Sequence, residues 1–269
     1  AAFDDVFMGH PLQGATVYFP MAVESFQAAY GTVYTSPGDL YDAKYAAGIP
    51  GLLPSKIPFP TLIAQGKLPV AALFNSTPPT TSNADLQSML AGMTPATTPA
   101  SLASTYAAGF GAPGLVDNTA RLAYIEDVLA HPDGAVPNYT TGLPPTQSQN
   151  RLRQAVIKND LRGWIPRSPV VMCGGTYDPA TPFRFGAQLM MEYWSNPASA
   201  APAGMASVLN FEDAPSAGDP YAQLRTNFVE MKAKLLASGG ESALTNAYHA
   251  GLLPRYCYTA ARQLFDSLR

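Results

Sequence analysis

The stretch that most constrains this chain is Pro169-Val-Val-Met-Cys-Gly-Gly-Thr-Tyr-Asp-Pro-Ala-Thr-Pro-Phe183. Val170 to Cys173 is a short apolar run with two β-branched residues, preceded by Pro169 and followed by Gly174-Gly175. A continuous apolar run bounded by breakers reads as a buried strand of a parallel sheet. A helical pattern follows from Phe185 to Trp194, so the unit is strand, loop, helix. In open α/β sheets, chemistry collects outside the carboxyl ends of the strands. Asp178 lies there, in a Gly/Pro-rich loop, where an acid can orient a histidine. The plainer alternative is that Asp-Pro starts a turn, its carboxylate bonding nearby backbone N–H groups.

The candidate partner is His249, in Asn246-Ala-Tyr-His-Ala-Gly-Leu-Leu-Pro-Arg255. Of the three histidines, it alone lies in a loop just ahead of a strong helix, and Pro254 suits that helix's first turn. A packing or surface histidine is the plainer alternative. His10, beside Pro11, reads as structural, and His131 as a charge partner for a helix carboxyl end.

Strand, Gly-Gly-x-x-Asp-Pro, helix, strand, then His-Ala-Gly before a last helix resembles the C-terminal part of a bacterial secreted α/β-hydrolase. The likeness is to the lipase-like and esterase-like members with a large insertion before the acid. It extends over the whole chain and is most specific at residues 169–183 and 246–257. It implies an α/β fold: the C-terminal portion of a hydrolase sheet, with a mostly helical lid inserted. It also implies Asp178 as the triad acid and His249 as the general base, in the order Ser, Asp, His of that fold. The family's nucleophile sits in Gly-x-Ser-x-Gly on a strand-to-helix elbow. No such pattern occurs in these 269 residues, and no oxyanion-hole loop is visible. The nucleophile is therefore expected upstream of this chain, on a second polypeptide or a missing N-terminal part. Ala1-Ala2-Phe3, without an initiator Met, fits that expectation. The least poor internal alternative is Ser104, in Ala103-Ser-Thr-Tyr-Ala-Ala-Gly109, which lacks the upstream Gly and a preceding strand.

Residues 1–15 read as a loop leaving the core sheet, 16–165 as a helical lid or cap, and 166–269 as the C-terminal part of the hydrolase core. In the lid, helices are expected at 16–30, 40–47, 61–66, 70–74, 84–90, 98–108, 117–130 and 150–162, with a polar loop at 136–149. Leu122, Ile125 and Leu129 form one face of the 117–130 helix, and Leu152, Val156 and Ile157 oppose Arg151, Arg153 and Lys158 in the next. After the acid come a helix, a Pro/Ala linker at 195–204 and a second strand at 207–211. Glu212 and Asp213 stand at that strand's end, and a helix from Tyr221 to Ser238 presents Leu224, Phe228, Met231 and Leu235 as core. Two parallel strands do not make a stable sheet alone, which is a physical reason to expect more of the protein.

Hydrophobic residues make up 47% and charged residues 13%, favouring a well-buried core or a large docking surface. A net charge of −3 without basic runs argues against nucleic-acid binding. No apolar run is long enough for a transmembrane helix. No Cys/His cluster has ligand spacing, so neither metal nor cofactor is expected. Cys173 and Cys257 form a disulfide if the last helix packs beside the central strand; otherwise they are two buried thiols. The expected reaction is hydrolysis of a small-molecule or lipid-like carboxylic ester, with amides less favoured, and the location secreted or periplasmic. The rival from another class is a catalytically silent binding or scaffold module.

Overall fold

A computed structural model describes residues 14–93, 109–132, 134–136, 139–143, 147–161, 164–181, 183, 186–195 and 204–267. Residues 1–13 with His10, the expected helix at 98–108 with Ser104, and residues 196–203 of the expected linker lie outside the described residues. The chain divides between Asp160 and Leu161 into two compact units.

The unit ending at Asp160 is built of short helices. α1 spans Ala15–Tyr30 and stops where Gly31 takes a φ of 66°, its N–H bonding the Gln27 carbonyl. After a 3-10 turn at Pro37–Asp39 come α2 (Ala43–Ala46) and α3 (Phe59–Ala64). Then follow β1 (Phe74–Asn75), α4 (Ala84–Gly92), β2 (Phe110–Gly111), α5 (Asn118–Ala130), β3 (Gly134–Val136), β4 (Tyr139–Leu143) and α6 (Arg151–Lys158). Side chains of Asn83, Asp117 and Asn150 accept N–H groups from the first turns of α4, α5 and α6, which is why those helices start where they do. Val17, Val23, Tyr41, Ile49, Leu62, Leu68 and Leu115 pack as its core.

Three expectations are corrected in this unit. Val70 to Phe74 is not a helix; Phe74 runs into β1, which pairs in parallel with β2. The Arg121 guanidinium lies over both paired rings, 5.1 Å from Phe74 and 5.3 Å from Phe110, so the strand is set by residues 36 to 47 positions away. Residues 136–149 are not all loop, because Val136 pairs with Tyr139 in the antiparallel β3–β4 hairpin. The buried positions of α5 and α6 are also not those expected. Leu129 is 57% exposed and Val156 47%, while Arg121, Asp127 and Arg153 are buried. Asp127 and Arg153 form an ion pair, and Asp127 also accepts Ser148 Oγ (2.7 Å) and the N–H groups of Gln149 (2.7 Å) and Asn150 (3.0 Å). A charged pair satisfied this fully can occupy interior positions that apolar periodicity would assign to leucine.

The unit from Leu161 onward is an α/β arrangement. β5 (Val170–Gly174) pairs in parallel with β6 (Ala206–Asn210), in register from Val170–Ala206 to Gly174–Asn210. α7 (Ala187–Ser195) connects them and packs against both. α8 runs Ala222–Ala247, a π-helical turn covers Tyr248–Leu252, and α9 (Leu253–Ser267) packs on β5. Phe211, Phe228, Leu244, Tyr248 and Leu252 are the centre of the core, with Val171 and Cys173 packed against it. Of the expected stripe on α8, Phe228 is fully buried, whereas Met231 is exposed. Helical geometry fails at Gly239 and at Gly240, where φ is 65°, so the first part of α8 ends at the expected Ser238. The chain then resumes as helix, which corrects the expected loop around His249. Among the described residues no helix is long and apolar enough to cross a membrane.

Candidate active site

β5 ends at Gly174, and the next residues turn back at once: Asp178 N–H bonds the Gly175 carbonyl at 3.1 Å. Both glycines are required by space rather than by φ. A Cβ on Gly174 would lie 2.5 Å from Phe183 Cδ2, and one on Gly175 would lie 2.0 Å from Tyr248 Oη. The loop thus passes directly over the ring of Tyr248, which brings the turn carrying His249 to the end of the strand.

Asp178 is 1% exposed. Its Oδ1 accepts the N–H groups of Ala180 (2.9 Å) and Thr181 (3.0 Å), and its Oδ2 accepts the Thr181 hydroxyl (2.9 Å). The Asp-Pro turn is therefore real, yet it leaves Oδ2 free to do more. His249 Nδ1 lies 2.8 Å from Oδ2 and 3.1 Å from Oδ1. A buried carboxylate held by two N–H groups and a hydroxyl is an acceptor, so Nδ1 carries the proton and donates it. In the neutral ring the Nε2 lone pair is then available. The His249 side chain is 42% exposed, and Nε2 has no hydrogen-bond partner among the described residues. The arrangement can orient a histidine and hold its tautomer while leaving the basic nitrogen open to a reacting group.

Sequence reasoning singled out Asp178 and His249, 71 positions apart, and they meet here. Cys173 and Cys257 are also brought together, with the sulfurs bonded at 1.94 Å. Ser104 lies outside the described residues. His131 contributes its carbonyl, which accepts from Arg153 Nη2 at 3.0 Å. Three contributors were missed. Thr181 touches Asp178 and also stands 3.4 Å from His249 Nδ1; the Asp-x-x-Thr spacing was its signal. Tyr248 and the role of Glu212 had none, since both depend on burial. Among the described residues, no group of three His, Cys, Asp or Glu side chains could hold a metal ion.

No protein-family model matches the chain, and no curated protein matches it in sequence. Among solved structures it is similar to a rice cell wall degrading esterase, LipA from Xanthomonas oryzae, with a TM-score of 0.46 at 16% identity over 95% of this chain and 43% of that one. A ligand-bound form of the same esterase gives a TM-score of 0.45 at 14% identity, covering 90% of this chain and 43% of that one. The chain thus spans less than half the length of the solved structures it is similar to.

Proposed function

We propose that this chain carries the acid and base of a serine hydrolase acting on a carboxylic ester, within a hydrolase core of which residues 166–269 are the C-terminal part. The observation that carries this reading is the 2.8 Å contact between His249 Nδ1 and a fully buried, multiply bonded Asp178, with the imidazole itself partly exposed. In the reaction, a serine hydroxyl brought to Nε2 attacks the ester carbonyl as His249 takes its proton. The imidazolium returns that proton to the leaving alcohol, and a water repeats the sequence to release the acid. Asp178 stays ionised throughout and stabilises the imidazolium. The serine and the N–H groups that hold the oxyanion belong to residues outside those described. Residues 16–165 act as a cap over a small-molecule or lipid-like substrate in this reading. The disulfide supports export to an oxidising compartment.

The test is made on the full-length protein. It should react with a serine-directed fluorophosphonate and hydrolyse p-nitrophenyl esters, with both activities lost in His249→Ala. A phosphonate-inert full-length protein would instead favour the silent binding module. A loss below about a hundredfold in turnover for His249→Ala would sink the base assignment.

A further inference from the structure

Asp178 and His249 are held in place from behind by one further carboxylate. Glu212 lies in the turn that follows β6. Its Oε1 accepts the Tyr177 N–H at 2.9 Å and also the Tyr248 hydroxyl; its Oε2 is paired with Lys232. Tyr177 is the residue before Asp178, and Tyr248 is the residue before His249. One side chain therefore grips the neighbour of the acid and the neighbour of the base, on two elements far apart in sequence. Lys232 closes the arrangement from the other side, its ammonium 3.7 Å from the centroid of the Tyr177 ring.

We propose that Glu212 is a positioning residue that sets the acid against the base, acting through Tyr177 and Tyr248. This rests on the reading of Asp178 and His249 as a catalytic pair. His249 needs such support. Its ring is 42% exposed, and its hydrogen-bond contacts among the described residues are Asp178 and Thr181. What constrains the imidazole is then the backbone of its own turn, and Tyr248 anchors that turn. The phenol is fully buried, edge-on to Phe228 with centroids 5.7 Å apart. Burial, and then the negative charge of Glu212, push its ionisation far above the ordinary range, so it remains a donor at any working pH. Gly175 leaves no room for the phenol to shift, since even a Cβ there would clash with its oxygen. A displacement of about 1 Å at a catalytic group costs on the order of a hundredfold in rate, so an anchor of this kind matters without touching substrate.

Glu212→Ala, Glu212→Gln and Tyr248→Phe in the full-length protein test the proposal. The first readout is NMR of the imidazole nitrogens, which reports the Nδ1–H tautomer; His249 is assigned by its loss in His249→Ala. The second is kcat and KM for a p-nitrophenyl ester. Glu212→Ala should weaken or lose the carboxylate-bonded Nδ1–H signal and lower kcat about 10- to 100-fold, with KM changed far less. Glu212→Gln should recover most of both, because the amide oxygen still accepts from Tyr177 and Tyr248. A folded Glu212→Ala protein with an unchanged Nδ1–H signal and kcat overturns the proposal. Should that variant not fold, Tyr248→Phe decides, since it keeps the ring packing: an unchanged signal there overturns it equally. If the native signal does not respond to Asp178→Asn, the catalytic pair itself is wrong and the proposal falls with it. If the native signal does respond while the Glu212 and Tyr248 variants leave it intact, only the positioning role fails.

Discussion

Each unit holds a buried aspartate, one near the end of a helix and one in the loop after a strand, and their partners differ. Asp127, in the unit ending at Asp160, accepts from Ser148, from two backbone N–H groups and from Arg153, itself only 5% exposed. Asp178, in the unit beginning at Leu161, accepts a hydroxyl and two backbone N–H groups, and then His249. The surroundings of the carboxylates are nearly the same, but the partners differ. A guanidinium keeps its proton at every accessible pH and is closed off, so the Asp127–Arg153 pair can only hold structure. An imidazole can take and release a proton near neutrality, and this one is partly exposed, its second nitrogen without a hydrogen-bond partner among the described residues. The same buried carboxylate is a staple or, in the reading proposed for Asp178, the orienter of a base, according to what its partner can exchange with the outside.

Exchanging each aspartate for asparagine separates the two roles most sharply. Asp178→Asn should lower ester turnover by about 10⁴-fold, because the amide favours the wrong tautomer of His249. Its melting temperature should change little, as the amide oxygen still caps the turn. Asp127→Asn should do the reverse: thermal and urea unfolding should register a loss of about 3–5 kcal/mol from the stranded Arg153, with turnover per folded molecule unaffected. If Asp127→Asn instead abolished turnover in folded protein, the contrast between the aspartates would be broken.

The next effect belongs to the unit of Asp178 alone. Cys173→Ser removes a cross-link between residues 84 positions apart, and should destabilise that unit by about 2–5 kcal/mol in denaturant unfolding under oxidising conditions. Under a reductant, native protein and Cys173→Ser should converge.

The smallest effect is a pH dependence of the Asp127 unit. Burial alone would raise the Asp127 carboxyl, but the bonds from Ser148, Gln149, Arg153 and Asn150 outweigh it and hold the value at about 2, below the ordinary 3.8. A depressed carboxylate contributes its stability above the ordinary value and loses it as pH falls through the folded one. Denaturant midpoints for this unit should therefore decline between about pH 4 and pH 2. Asp127→Asn should flatten that decline.

The sequence by itself determined the local signals. Val170 to Cys173 between Pro and Gly-Gly read as a short buried strand; it is a strand, with those four side chains only half-buried. The helices expected from 84, 117 and 150 start there, capped by the side chains of Asn83, Asp117 and Asn150. Asp178 and His249 were legible because each carries its chemistry beside a recognisable element. Tertiary structure alone decided which charged residues went inside. Arg153 read as a surface residue, since periodicity assumes that charge faces water; a bonded carboxylate made its burial possible, as an aromatic pair did for Arg121. It also decided that His249 sits on a helical turn, because Gly239 and Gly240 ended one helix while the packing of Leu244 and Tyr248 drew the chain into another. Glu212 is the clearest case. As sequence it is an acid after a strand, and its place beside the neighbours of Asp178 and His249 exists only once β5, β6 and the His249 turn have packed around Tyr248.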